Sequence, residues 1–202
     1  MIYVNQLEYD HIPYRTNVMR EDFTDEQKMR SVRKSGCGLC CVCTMLSILT
    51  EHVLPVEECV KISEECVANH STGTDMKVLG PVIAEKFGID YKGSNDVEEV
   101  IRHLQRGGQV ICHVGVPEGE SIGLFTKGGH YICLIATDGE QFCILDPSYT
   151  PEKFTIPERA GRINTDHAPY LYCHKEIVHS ETRRNRPFKY HLFARKGGFS
   201  AI

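Results

Sequence analysis

Four cysteines, Cys37, Cys40, Cys41 and Cys43, crowd into the stretch KSGCGLCCVCTML of a chain whose other cysteines are scattered. Three chemistries could follow: a metal cage, a disulfide knot, or one reactive thiol followed by packing. A cysteine reacts as its thiolate, and a helix N-terminus or a neighbouring imidazole lowers the thiol pKa. Cys37 has the first of these, since it stands between Gly36 and Gly38 where a helical period begins, so its sulfur can face the positive end of the helix. Cys40, Cys41 and Cys43 fall deeper in the same helix, where a cysteine ordinarily serves as a small buried hydrophobe.

The imidazole that serves such a thiol lies far off in sequence and close in the fold. Of ten histidines, His130 in KGGHYICLIA is the best placed, at the mouth of an apolar strand and after two glycines that let another backbone come close. Asp146 ends the next strand, FCILDP. With the hairpin turn near Asp138 and Gly139, His130 and Asp146 are about equally far from its centre and therefore sit side by side at one end. A carboxylate there can hold one ring nitrogen and leave the other facing a thiol. Asp138 itself is a turn former. His113 in ICHVGV alternates with apolar residues and reads as interior or as a support behind the site, and His70 in ANHSTGTD reads as a loop residue.

The metal reading competes because C-x-x-C is a zinc-ligand spacing and Cys41 and Cys43 add thiolates. Structural zinc sites normally draw a second ligand pair from a separate knuckle, and the later donors Cys173, His174 and His179 lack paired spacing. The expectation is therefore no metal and no organic cofactor.

Around these residues the elements can be laid out. Residues 1–34 form an arm that opens with IYV, which could pair as a strand, and then turns polar. Apolar or small residues at 37, 40, 41, 44, 45, 48 and 49 predict a helix on a core. Pro55 with Glu57 and Glu58 starts a second helix running to about Asn69. Thr74 or Asp75 caps a third, DMKVLGPVIAEKFG, closed by Gly88, with Pro81 kinking it or marking its true start. A fourth, DVEEVIRHLQRGG, carries Val97, Val100, Ile101 and Leu104 on one face and stops at Gly107. QVICHVGV, HYICLIAT and QFCILDP read as strands, APYLYCHKEIVHSE as a short helix and FKYHLFAR as a final alternating strand. Helices first and an antiparallel sheet second make an α+β fold, a single domain over residues 1–202.

Composition narrows the partners. A net charge of −4 and a pI near 6.2 with dispersed basic residues leave no footprint for nucleic acid. The one dense basic run, Arg183 to Arg186, reads as a solvated turn. No apolar stretch approaches the ~18 residues of a membrane span, and the N-terminus lacks the features of a secretory signal. A cytoplasmic protein with reduced thiols is expected, which makes the disulfide knot the weakest of the three readings.

SGCGLCCVCTMLSIL resembles the nucleophile helix of bacterial papain-like cysteine peptidases related to the bacteriocin-leader-processing (double-glycine) peptidases, where S-G-C-G or D-C-G opens a helix. GGHYICLIA resembles their G-H-hydrophobic strand, FCILDPS the D-P after the next strand, and VIRHLQRGGQVICHV their L-x-x-G-x-P-V-I segment with glutamine for proline. NQLEYDHIPY resembles their Q-x-D-x-x-W arm with tyrosine for tryptophan. The resemblance implies a papain-like fold, with the nucleophile at a helix N-terminus packed on a C-terminal antiparallel sheet. It implies Cys37 as nucleophile, His130 as general base and acid, Asp146 as the residue orienting the histidine, and a peptide or protein substrate. Members with closer spacing place an oxyanion-hole glutamine six residues before the nucleophile, where this chain has Ser31. Gln6, or less plausibly Gln27, would have to fold back to donate with the Cys37 backbone N–H. A non-catalytic peptide-binding module of the same fold and a cysteine-rich metal or redox protein are the alternatives.

Overall fold

The computed structural model describes residues 1–14, 30–70, 73–182 and 186–199. Helices α1 (Val32–Ser35) and α2 (Cys37–Leu49) are separated by Gly36 alone. A Cβ at Gly36 would lie 2.5 Å from Val32 Cγ1 and 2.7 Å from the Val32 carbonyl oxygen, so only glycine lets the chain stop and restart there. α2 is buried nearly all round, as expected of a helix inside a core rather than on its surface. Leu39, Leu46 and Leu49 each contribute about 2 kcal/mol by burial.

Helix α3 (Val56–Glu65) starts after Pro55 and ends earlier than its pattern implied. A two-stranded hairpin, β1 (Asn69–His70) and β2 (Gly73–Thr74), takes up the chain beyond it. In α4 (Met76–Phe87) the Asp75 carboxylate accepts the Lys77 N–H at 3.0 Å, and Gly88 closes the helix in the left-handed conformation at φ 64°. Pro81 lies inside α4 and does not start it. β3 (Ile89–Ser94) follows, then α5 (Val97–Gln105), capped by Asp96, and then β4 (Gln109–Val114), β5 (His130–Thr137) and β6 (Gln141–Leu145). The last elements are β7 (Asn164–His167), β8 (Tyr170–His174), α6 (Lys175–Ser180) and β9 (Tyr190–Arg195).

The large sheet has the order β3-β9-β4-β5-β6-β8-β7, with every pairing antiparallel. Successive residues of its middle strands feed opposite cores, because side chains alternate across a strand. Ile111, Tyr131, Cys133, Leu145 and Phe193 join α2, α3 and α4 on one face. Val110, Cys112, Ile132, Leu134, Ile144 and Leu192 join α5 on the other. β4 is therefore buried along its whole length, and β9 does not alternate, its first five residues all being buried. Eight of the ten cysteines are buried and none is in a disulfide, with members in both cores.

Two expectations are corrected. The segment APYLYCHKEIVHSE is mostly strand: Tyr170–His174 pairs with both β6 and β7, and only the six residues of α6 are helical. The IYV opening is not a strand. It lies along α2, where the Val4 N–H donates to Thr44 Oγ1 at 3.1 Å and the Ile2 N–H to Ser47 Oγ at 2.9 Å, so helix hydroxyls replace strand partners. The first half is mostly helical, as expected, with β3 forming an edge of the large sheet against β9. Among the described residues no helix is long and apolar enough to cross a membrane. The basic run at 183–186 falls outside the described residues except for the exposed Arg186.

Candidate active site

Cys37 is the first residue of α2 and is partly exposed, whereas Cys40, Cys41 and Cys43 behind it are buried. The N–H groups of a first helical turn lack intrahelical acceptors and favour negative charge. Gly38 is pressed against its surroundings: a Cβ there would meet Thr74 Cβ at 2.9 Å and Tyr131 Cδ2 at 3.2 Å. The small hairpin is held in that position by Tyr14 of the arm, whose buried hydroxyl bonds Ser63 Oγ at 2.8 Å and Thr74 Oγ1 at 2.9 Å. Close packing by β2 and β5 thus fixes where the Cys37 sulfur can be.

His130 opens β5 and is buried, with Nε2 at 2.8 Å from Asp146 Oδ1. The second ring nitrogen is left for Cys37, to which the imidazole is hydrogen-bonded. Equal distance from the turn puts Asp146 directly opposite His130, but the register is offset. Pairing runs Cys133 to Leu145, with an irregularity between Leu134 and Ala136. Continued past the ladder, it sets Ser148 opposite His130 and Asp146 diagonal to it on the same face, within reach for these side chains. Ser148 Oγ is 3.1 Å from both His130 Nε2 and Asp146 Oδ1. Gly128, expected to admit a neighbouring backbone, instead faces open space.

Burial opposes ionisation of Cys37, but the hydrogen bond and charge of His130, with the backbone N–H groups of Tyr131 and Gly38, bring its pKa below the ordinary thiol value. Burial likewise disfavours the charged imidazole of His130, yet the Asp146 carboxylate outweighs it and the pKa is raised. Asp146 is completely buried, which works against its charge, but Lys153 and His130 hold it well below the usual carboxylate range. These directions favour a thiolate–imidazolium pair. The thiols of Cys40 and Cys41 go the other way, pushed up chiefly by burial.

Gln6 lies in a 3₁₀ turn over Gln6–Glu8. Its backbone N–H donates to the Pro147 carbonyl at 2.7 Å, and its Nε2 donates to the Arg33 carbonyl at 2.7 Å. It therefore bridges the loop after Asp146 and helix α1, just ahead of Cys37, with its buried Oε1 unpaired. Ser31, six residues before Cys37, is engaged elsewhere, donating to Asp10 Oδ1 at 2.7 Å. Gln27 lies outside the described residues.

His113 is interior, stacked on Tyr131 with ring centroids 4.3 Å apart. His70 belongs to β1 rather than to a loop. Asp138 accepts the N–H groups of Glu140 and Gln141 in the hairpin turn. Cys173 donates to the Arg162 carbonyl, His174 lies near Glu140, and His179 bonds the Tyr190 hydroxyl at 2.8 Å, so these donors do not approach Cys40, Cys41 and Cys43 of α2. Among the described residues no group of three or more His, Cys, Asp or Glu is arranged to hold a metal ion.

The residue that sequence reasoning missed is Lys153. It sits in the 3₁₀ turn Pro151–Phe154, nearly buried, with Nζ at 2.6 Å from Asp146 Oδ2 and 2.6 Å from Ser148 Oγ. Its only signal was position, seven residues after Asp146 in a proline-bounded turn.

No family model and no curated protein matches the chain. Among solved structures it is similar to a Bacillus anthracis protein provisionally described as a C39-like peptidase. The TM-score is 0.54 at 11% identity, over 92% of this chain and 96% of that one. The helical first half and seven-stranded antiparallel sheet described above match that fold.

Proposed function

We propose that the chain is a cysteine peptidase or amidohydrolase that cleaves a peptide or amide bond through a thioester. The observation that carries this reading is the hydrogen-bonded series Cys37, His130, Asp146, with Nε2 of His130 bonded to the carboxylate, which leaves the other nitrogen for the thiol. The Cys37 thiolate attacks the carbonyl carbon, and negative charge gathers on the carbonyl oxygen. As the tetrahedral species collapses, the His130 imidazolium gives its proton to the leaving nitrogen, and the acyl group stays on sulfur. Water, deprotonated by the now neutral His130, then attacks the thioester and frees the thiolate. Asp146 fixes the ring orientation throughout.

For the oxyanion we assign the backbone N–H of Cys37 at the open helix end and the second N–H of the Gln6 amide, the first being held by Arg33. The substrate is a peptide or protein, and the chemistry needs no metal or cofactor. Replacement of Cys37 by alanine should abolish covalent labelling by a thiol-directed peptidyl probe while the circular dichroism stays native. Undiminished labelling of Cys37→Ala would sink the assignment.

A further inference from the structure

We propose that Lys153 is a positioning residue that sets the charge balance of the Cys37–His130–Asp146 series, acting on His130 through their shared carboxylate. The role rests on the reading of those three residues given above. The geometry divides the Asp146 carboxylate between two cations. Oδ1 accepts from His130 Nε2 at 2.8 Å, from the Ser148 N–H at 2.9 Å and from Ser148 Oγ at 3.1 Å. Oδ2 accepts from Lys153 Nζ at 2.6 Å. The Ser148 hydroxyl also accepts from Lys153, so its own proton is free to point at Asp146.

Lys153 is built into place. Its neighbour Phe154 is buried against Phe125 and Tyr149. Its carbonyl accepts from Arg159 Nη1 at 3.2 Å, and the same guanidinium donates from Nε to the Gly123 carbonyl at 3.0 Å, tying the turn to the loop that leads into His130. The side chain of Lys153 is 10% exposed and that of Asp146 not at all, so water screens the pair little.

A buried carboxylate with no counterion puts its full charge on the imidazole beside it. A thiolate, an imidazolium and a carboxylate together would leave one net negative charge in a desolvated place, which is costly. The Lys153 ammonium makes the sum zero. It also weakens the hold of Asp146 on the His130 proton, keeping the imidazole able to give that proton up, as a general acid must. The charged and titratable groups around this centre are Cys37 on α2, Asp146 and Lys153 in the loop after β6, Arg159 beyond them, and Tyr3 of the arm, whose hydroxyl donates to the Asp146 carbonyl. Among the described residues, Lys153 is the cation in direct contact with the carboxylate besides His130 itself.

The test is the imidazole titration of His130 in the full chain, followed by NMR of the ring C–H and assigned by its absence in His130→Gln. In Lys153→Met the midpoint should rise by about one pH unit, and in Lys153→Arg it should stay at the parent value. If the role of Lys153 were only to hold the loop, Asp146 would loosen, burial would dominate, and the midpoint would fall. A lowered or unchanged midpoint in a natively folded Lys153→Met therefore overturns the proposal. Should that variant not fold, Lys153→Gln, which keeps a donor to Asp146 without the charge, carries the same expectation and the same refutation. The titration needs no turnover: a risen midpoint in a chain whose Cys37 takes no peptidyl probe would keep this proposal and remove the peptidase reading.

Discussion

A thiolate at Cys37 depends on one imidazole, and the surroundings make the dependence testable at that residue. Burial alone would push this thiol up, as it does at Cys40 three residues on. The largest lowering influence is the hydrogen bond from His130, followed by its charge. The sign follows: with His130 present the thiolate persists below the ordinary thiol pKa, and without it only the backbone N–H groups of Tyr131 and Gly38 oppose desolvation. In His130→Ala the pH midpoint for Cys37 alkylation by iodoacetamide should rise by at least one unit, toward or beyond the free value of about 8.5. An unmoved midpoint would make His130 an ordinary strand residue. That Cys37, His130 and Asp146 come together was legible in the sequence, because glycines flanking a helix start and a polar residue at the end of an apolar strand are local signals. Lys153 was not legible, because a lysine in a turn is usually solvated and nothing local says that its ammonium points inward.

At the scale of elements, the site is made by close approach. Gly36 lets α1 stop one residue before α2 begins, and Gly38 lets β2 and β5 press against the first turn. Gly36→Ala would drive a Cβ into the Val32 backbone and side chain, so the two helices must move apart. We expect a loss of about 1–3 kcal/mol in denaturant unfolding and slower alkylation of Cys37. Unchanged stability would mean that the junction relaxes freely. The long helices were readable because caps and periodicity agree, as at Asp75 with Gly88 and at Asp96 with Gly107. β3, β7 and β8 were harder: β3 is polar at an edge, IDYKGS, and YLYCHKEIVHS joins a strand directly to a helix with no punctuation between them. The diagonal placement of Asp146 was hidden by the turn: Thr137 pairs with Phe142, so the hairpin is centred between Gly139 and Glu140 and not at Asp138, and the irregularity between Leu134 and Ala136 then shifts the register by one residue.

The whole molecule hangs on one antiparallel sheet packed on both faces, a layering foreshadowed by the apolar runs of β4 and β5 but not by the order of elements. The scattered buried cysteines, idle in the chemistry, turn that architecture into something that can be timed. Cys112 faces one core and Cys133 the other, on adjacent paired strands. A sealed thiol reacts only when its surroundings open, so its rate of capture by an excess of reagent in native buffer counts openings. If the two layers parted independently, Cys112 and Cys133 would be captured at unrelated rates. Because strands β4, β5 and β9 supply side chains to both layers, neither can empty without stripping the other. Mass-resolved labelling should therefore find the two thiols captured together, within about a factor of three. A tenfold gap would show that the faces of the sheet breathe separately.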